Sequence, residues 1–73
     1  MYKGYEVYVA HENRMDFDRH YSEWIRSNVE HGVTIITSET PEGFTYYPLP
    51  KQFLEYMDKN HFPYRNKGYR EMP

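Results

Sequence analysis

The chain contains no cysteine and only four glycines, none of which lies within five positions of another. Without cysteine there is no disulfide framework and no thiolate zinc site, so the usual reinforcements of small secreted domains are absent. The wide spacing of the glycines excludes the glycine-rich loops that bind phosphate in nucleotide-binding proteins. We therefore expect a protein of a reducing compartment that carries no cofactor.

Long apolar runs are missing as well. No segment approaches the ~20 apolar residues that a membrane-spanning helix needs, and residues 1–6 lack the apolar run of a signal peptide. We expect a cytoplasmic protein that has no membrane partner. A length of 73 residues leaves room for one domain with a small core.

Aliphatic residues are scarce, and the mean hydropathy of −1.04 is low enough to raise the question of disorder. Disordered chains, however, combine a high net charge with few aromatic residues. Here the formal net charge is only −2, and nine tyrosines, four phenylalanines and one tryptophan are present. The composition therefore predicts a folded domain whose core is aromatic.

The first strand is predicted over residues 4–10. Tyr5, Val7 and Val9 alternate with Glu6 and Tyr8, and this period of two is typical of a half-buried strand. We expect the face that carries the two valines to be buried.

A helix is predicted next, with Asp16 as its N-cap and Gly32 as its C-terminal stop. Apolar residues recur in steps of four, three, one and four, which places them on one helical stripe. These residues are Phe17, Tyr21, Trp24, Ile25 and Val29. We expect Trp24 to lie at the centre of the core.

The next two strands are predicted to form a hairpin. Residues 33–38 are β-branched except for the last. Residues 44–47, which are Phe, Thr, Tyr and Tyr, follow a turn that contains Pro41 and Gly43. The prolines at positions 48 and 50 are expected to end the third strand.

A second helix is predicted from Pro50 to about Asn60, with Phe53, Leu54 and Met57 facing inward. Residues 61–73 show neither a helical nor a strand period. We interpret them as an aromatic and basic tail that is partly docked on the compact domain of residues 1–60.

The predicted order β-α-β-β-α indicates an α+β domain, a three-stranded mixed sheet with both helices on one face. A right-handed crossover allows the first strand to lie parallel to the second or antiparallel to the third, and we prefer the antiparallel placement. The uncovered sheet face is the first candidate for a binding surface. Depending on register, it carries Glu6, Tyr8, Thr34 or Ile35, and Tyr46 or Tyr47.

Metal-ligating residues are densest between His11 and His20, where Glu12, Asp16 and Asp18 lie between the two histidines. On a helix, however, Asp16 and Asp18 point ~200° apart, so they do not converge on one ion. No cysteine nucleophile and no Gly-x-Ser-x-Gly turn is present. We predict no catalytic residue and no metal ligand, and keep a small metal-assisted enzyme as the third hypothesis.

Charge is distributed unevenly along the chain. Residues 1–58 carry five basic and ten acidic side chains, whereas residues 59–73 carry four basic and one acidic side chain. The basic residues of the last segment alternate with Phe62, Tyr64 and Tyr69, which is typical of proteins that bind single-stranded nucleic acid by phosphate contacts and base stacking. A solubilising tail that folds back on the acidic body is the alternative interpretation. The acidic excess is too small for a nucleic-acid mimic.

Nine tyrosines exceed what so small a core can bury, so we expect several of them to form a surface patch that binds a partner. The alternative is that tyrosine fills a core poor in leucine and isoleucine. The main hypothesis is a non-enzymatic module, such as a phage or mobile-element accessory protein, that binds and modulates or inhibits another protein. Single-stranded nucleic-acid binding is the alternative, and self-association fits the same surface. The predicted partner-binding residues are Tyr8, Tyr46, Tyr47, Tyr64, Arg65, Lys67, Tyr69 and Arg70.

Overall fold

The computed structural model describes residues 2–31 and 35–72. In chain order, the strands and helices follow one another as β-α-β-β-α-β, and two short 3-10 turns flank the first helix. The elements are β1 (Tyr2–Ala10), α1 (Arg14–Arg26), β2 (Ile36–Glu39), β3 (Gly43–Leu49), α2 (Lys51–Lys59) and β4 (Arg65–Met72).

The four strands form one sheet in the order β2-β3-β1-β4, in which every pair of described neighbours is antiparallel. This is the split β-α-β topology that is also called ferredoxin-like. The preferred placement of the first strand beside the third is confirmed, and so is the small α+β architecture. The predicted three-stranded mixed sheet is wrong, because the sheet has a fourth strand and its described pairs are all antiparallel.

The fourth strand comes from the segment that was expected to be a tail. Its period of two is interrupted at Lys67, which is the extra residue of a bulge opposite Glu6 and Val7. The next residue, Gly68, has a φ of +108°, a backbone conformation that favours glycine. Both features hide the strand from a search for regular alternation. Tyr69 nevertheless pairs with Tyr5, and their rings meet edge to face at 5.4 Å.

Helix α1 differs from the prediction at both ends. It begins at Arg14, so that Asp16 lies in its first turn and accepts a hydrogen bond from Arg19 at 3.4 Å instead of capping the helix. It ends at Arg26, because the side chain of Asn28 donates to the carbonyl oxygen of Trp24 at 2.8 Å and satisfies a terminal acceptor. Val29 is therefore outside the helix and 73% exposed. The predicted stop, Gly32, is outside the described residues.

Helix α2 agrees with the prediction. Pro50 precedes its first turn, and the three expected side chains, Phe53, Leu54 and Met57, are buried. Strand β3, however, continues through Pro48 to Leu49. A shift in the β1–β3 register occurs at this point, and proline is tolerated at such irregularities because the regular hydrogen-bond ladder is already interrupted.

The predicted hairpin is present and consists of β2 and β3. Its turn is closed by hydrogen bonds between Thr40 and Gly43, of which the shorter joins the Thr40 amide to the Gly43 carbonyl at 2.7 Å. Of the expected second strand, residues 33 and 34 are outside the described part of the chain, and β2 itself runs from Ile36 to Glu39.

Both helices cover one face of the sheet, as predicted, and the core between the two layers is aromatic. Its centre is the pair Phe17 and Phe53, whose rings meet edge to face at 5.6 Å. Phe17 also stacks on Tyr46 at 4.0 Å. Trp24, the residue expected at the centre, is also buried in this core and packs against Phe53, but at 7% exposure it is less deeply buried than Phe17 and Phe53. Neither described helix is long and apolar enough to cross a membrane.

Replacement of Phe17 by alanine should destabilise the domain severely. A buried Phe→Ala change costs ~3–5 kcal/mol, which is a large share of the ~4–11 kcal/mol expected for a chain of this size. Met15→Ala, on the same helix but at an 84% exposed position, is the matched control and should leave stability nearly unchanged. Denaturant unfolding followed by Trp24 fluorescence measures both. Equal stability losses would contradict this description of the core.

Candidate binding surface on the open sheet face

The face of the sheet that points away from the helices, here called the open face, is built from alternate residues of all four strands. Strand β1 contributes Glu6 and Tyr8, and β3 contributes Thr45 and Tyr47, because Val7, Val9, Phe44 and Tyr46 point into the core. The expected presence of Glu6, Tyr8 and Tyr47 on this face is confirmed. Ile35 instead packs against the core, and Thr34 is outside the described residues. The outer strands add Ile36, Ser38, Arg65, Lys67, Arg70 and Met72.

One end of the open face forms a groove of about 400 Å³, here called the Tyr8 groove. The guanidinium carbon of Arg65 lies 5.5 Å from the centre of the Tyr8 ring, a cation–π arrangement. Lys67 reaches the same groove because the bulge in β4 turns the side chain of this extra residue toward the open face. The groove is lined by Tyr8, Thr40, Glu42, Thr45, Arg65 and Lys67.

A second arginine and tyrosine lie together near the other end of the open face. The guanidinium carbon of Arg70 is 5.4 Å from the centre of the Tyr47 ring, and its Nη1 donates to Glu6 Oε1 at 2.9 Å. The single hydroxyl hydrogen of Tyr47 is shared between the carbonyl oxygens of Tyr2 and Arg70, which lie 2.9 and 3.0 Å from the hydroxyl oxygen. Tyr47 is thus locked in place and buried beneath Arg70, so its ring is unavailable to a ligand.

The two ends of the open face share one lining residue. A smaller cleft of about 200 Å³ surrounds the Arg70–Glu6 pair and has Thr45 in common with the Tyr8 groove. Ile36 and Met72 give this second cleft a partly apolar lining. A ligand that fills the Tyr8 groove can therefore extend across the sheet toward Arg70.

The positive charges of the open face differ in whether they are neutralised. Arg70 pairs with Glu6, whereas no acidic partner lies within ion-pair distance of Arg65 or Lys67 among the residues that the structure describes. Arg14 and Arg19 of α1 are also paired with carboxylates. The two cations of the open face that lack an ion pair within the described residues therefore both line the Tyr8 groove, together with Glu42.

The predicted partner-binding residues separate into three groups. Tyr8, Arg65 and Lys67 line one groove, and Arg70 lies beside it over the buried Tyr47. Tyr46 is inside the core and only 4% exposed. Of the remaining two, Tyr64 donates from its hydroxyl to Asp58 at 2.7 Å and lines a separate cleft of about 240 Å³ with Tyr8 and Arg65, and the ring of Tyr69 contacts Tyr5.

Seven residues of this surface were not predicted as binding residues: Glu6, Ile36, Ser38, Thr40, Glu42, Thr45 and Met72. Glu6 was recognised as an open-face position, but its pairing with Arg70 depends on two residues 64 positions apart in sequence. Thr40 and Glu42 belong to the hairpin turn and become groove residues only because β4 lies beside β1. No local pattern in the sequence signals this juxtaposition.

The metal-ligating residues near the start of α1 do not converge. Asp16 and Asp18 pair with neighbouring arginines, and His11 donates from Nε2 to the carbonyl oxygen of Thr40 at 3.2 Å. His20 packs against Phe62, with ring centres 5.3 Å apart. Across residues 2–31 and 35–72, no group of three histidine, aspartate or glutamate side chains is placed to hold a metal ion.

Tyrosine ionisation is suppressed at several positions. Burial raises the pKa of Tyr21 and of Tyr46. Burial, followed by the hydrogen bond to Asp58, raises the pKa of Tyr64 to about 12. These phenols stay neutral at physiological pH.

Comparison of the chain with protein-family models, with curated proteins and with solved structures finds no match.

The raised pKa of Tyr64 predicts a loss of stability in alkali. In the unfolded chain the phenol ionises near its ordinary pKa of 10.0, so the stabilisation is complete below that pH and is lost as the pH rises toward about 12. Tyr64→Phe and Asp58→Asn should both show a shallower fall in the free energy of unfolding over this interval. Urea unfolding at stepped pH measures the free energy of unfolding. If it decreases with pH as steeply in both variants as in the wild type, the raised pKa of Tyr64 is contradicted.

Proposed function

We propose that the protein is a non-enzymatic binding module whose open face binds single-stranded nucleic acid. The observation that carries this proposal is the Tyr8 groove, which Arg65, Lys67 and the Tyr8 ring line together with Glu42, and in which neither cation is ion-paired within the described residues. Phosphate contacts from lysine and arginine supply most of the affinity of proteins that bind nucleic acid without sequence preference. Aromatic rings add base stacking that tolerates any base.

The geometry of Arg65 suits both kinds of contact. Its guanidinium group lies over the Tyr8 ring, so the donors at its edge remain available to a phosphate oxygen. A nucleobase can also stack on a guanidinium plane or on an aromatic ring, as RNA bases do in many complexes. The hydroxyl groups of Thr40 and Thr45 already donate to the carbonyl oxygens of Gly43 and Ser38, so the donors that the groove offers to a phosphate are those of Arg65 and Lys67.

The topology is compatible with this use of the sheet. Some RNA-binding domains are four-stranded sheets that stack bases on aromatic residues of one face. That similarity concerns the fold alone, and folds host many functions. The proposal therefore depends on the residues of the groove, and since Tyr46 and Tyr47 are buried, Tyr8 and Arg65 are the stacking groups that this face offers.

Removal of the two cations of the groove should abolish most binding. We expect Arg65→Gln/Lys67→Gln to weaken the affinity for a fluorescein-labelled oligouridylate or oligothymidylate by roughly tenfold, because two phosphate contacts are lost. The slope of log K against log salt should become less negative by about 1.4, at roughly 0.7 for each phosphate contact that a single strand loses. Fluorescence anisotropy at stepped salt concentrations measures both quantities.

The matched control is Lys51→Gln/Lys59→Gln, on exposed positions of α2 in the other layer of the molecule. This control also removes two positive charges from the chain, but it leaves the Tyr8 groove intact. Equal losses in the two double variants would show that net charge alone governs binding. Absence of any binding by the wild-type protein at low salt would refute the proposal.

A partner protein that the module modulates or inhibits is the second candidate. Strand β2 favours it, because this strand is at the edge of the sheet and all four of its residues are exposed. An extended segment of a partner can pair with such an edge through main-chain hydrogen bonds. Capture of one stoichiometric protein that survives nuclease treatment, from a wild-type chain that binds no oligonucleotide, would favour this candidate.

A further inference from the structure

We propose that the nucleic-acid site extends along β4 to Arg70, which acts as a further phosphate contact beyond Arg65 and Lys67 and which Glu6 partly neutralises. This inference rests on the proposed function. It assigns the ligand class more narrowly, as a strand with several successive phosphates rather than a mononucleotide. It also assigns to Glu6 the role of weakening the site, so that removal of its charge strengthens binding.

The position of Arg70 leaves it accessible to a ligand. Its side chain is 49% exposed, whereas that of Glu6 is 19% exposed and lies on the central strand β1. The Nη1 atom of the guanidinium group donates to Glu6, and the Nη2 atom lies 3.7 Å from the sulfur of Met72, which is a weak acceptor. Donors at the outer edge of the group therefore remain free to meet a phosphate.

Arg65 and Arg70 are placed to meet different phosphates. Their guanidinium groups lie over different rings, those of Tyr8 and Tyr47, and five residue steps of roughly 3.3 Å separate the two residues along β4, which gives about 16 Å before the shortening caused by the bulge. Lys67 lies between them on the same face. A ligand that contacts both arginines in this arrangement is a strand of several nucleotides, and Thr45 lines both the Tyr8 groove and the Arg70 cleft.

Glu6 affects the two ends of this path differently. A phosphate beside Arg70 lies close to the Glu6 carboxylate, which is 2.9 Å from the guanidinium group, and is repelled by it. A phosphate in the Tyr8 groove meets Arg65 and Lys67, and Glu6 is not part of that groove. Neutralising Glu6 should therefore strengthen the binding of long ligands without affecting short ones.

The test compares Glu6→Gln with Glu55→Gln, an exposed position on α2 that undergoes the same change in charge. The probes are uridine 5′-monophosphate and a hexauridylate. We expect Glu6→Gln to raise the affinity for the hexamer by roughly threefold or more, with a steeper salt dependence, because one more phosphate is contacted. It should leave the affinity for the monophosphate unchanged. Glu55→Gln should change neither.

Arg70→Gln provides the opposite change. It should lower the affinity for the hexamer while the affinity for the monophosphate is retained, and Arg70→Lys should restore part of the loss. Thermal unfolding of each variant verifies that the domain is folded. Because the pair of Arg70 variants leaves Glu6 itself unsubstituted, it keeps the inference testable even where Glu6→Gln disturbs the strand.

Two results would overturn the inference. If Glu6→Gln and Glu55→Gln raise the hexamer affinity equally, the effect is one of net charge, and if Arg70→Gln binds the hexamer like the wild type, Arg70 makes no contact. Either result leaves the proposed function intact as long as Arg65→Gln/Lys67→Gln still lowers the affinity for the oligonucleotide as described above. A wild-type protein that does not bind the hexamer at all would remove the proposed function together with this inference.

Discussion

The antiparallel pairing of β4 with β1 is the interaction on which the candidate site depends. It places Arg65 opposite Tyr8, and the bulge at Lys67 brings a second cation to the same face. Without this pairing, the basic residues of the last segment would be solvated charges with no relation to a ring or a groove. The same pairing converts β1 from an edge strand into a central strand, so that both of its sides are hydrogen-bonded.

The aromatic core determines which tyrosines a ligand can reach. Strand β3 alternates between the two faces, so Tyr46 stacks on Phe17 inside the core while Tyr47 points to the open face. Tyr47 is then occupied by its hydrogen bonds to the main chain and by the arginine above it. A chain rich in tyrosine thus leaves one ring, that of Tyr8, in the charged groove. This is why the site is better described as cationic with one aromatic platform than as a tyrosine patch.

Regular periodicity made much of the fold predictable. Each predicted element reflects one local rule. These are the alternation in β1, the apolar stripe in α1, the proline and glycine of the hairpin turn, and the buried face of α2. Strand β4 escaped prediction because its bulge interrupts the alternation and its side chains are mostly exposed. The end of α1 escaped because the hydrogen bond from Asn28 closes the helix before the apolar stripe is complete. The site residues Arg65 and Lys67 were recognisable by type, but their placement beside Tyr8 depends on a long-range strand pairing that local patterns do not encode.

The most direct test of this account is the location of bound nucleic acid on the folded protein. Titration of the ¹⁵N-labelled protein with unlabelled hexauridylate, followed by amide chemical shifts, maps that location residue by residue. The account predicts that the shifts cluster at Tyr8, Thr45, Arg65 and Lys67 and spread toward Arg70, while the amides of α2 stay unchanged. Shifts confined to the helical layer, or a spectrum that the oligonucleotide leaves unaltered, would contradict it.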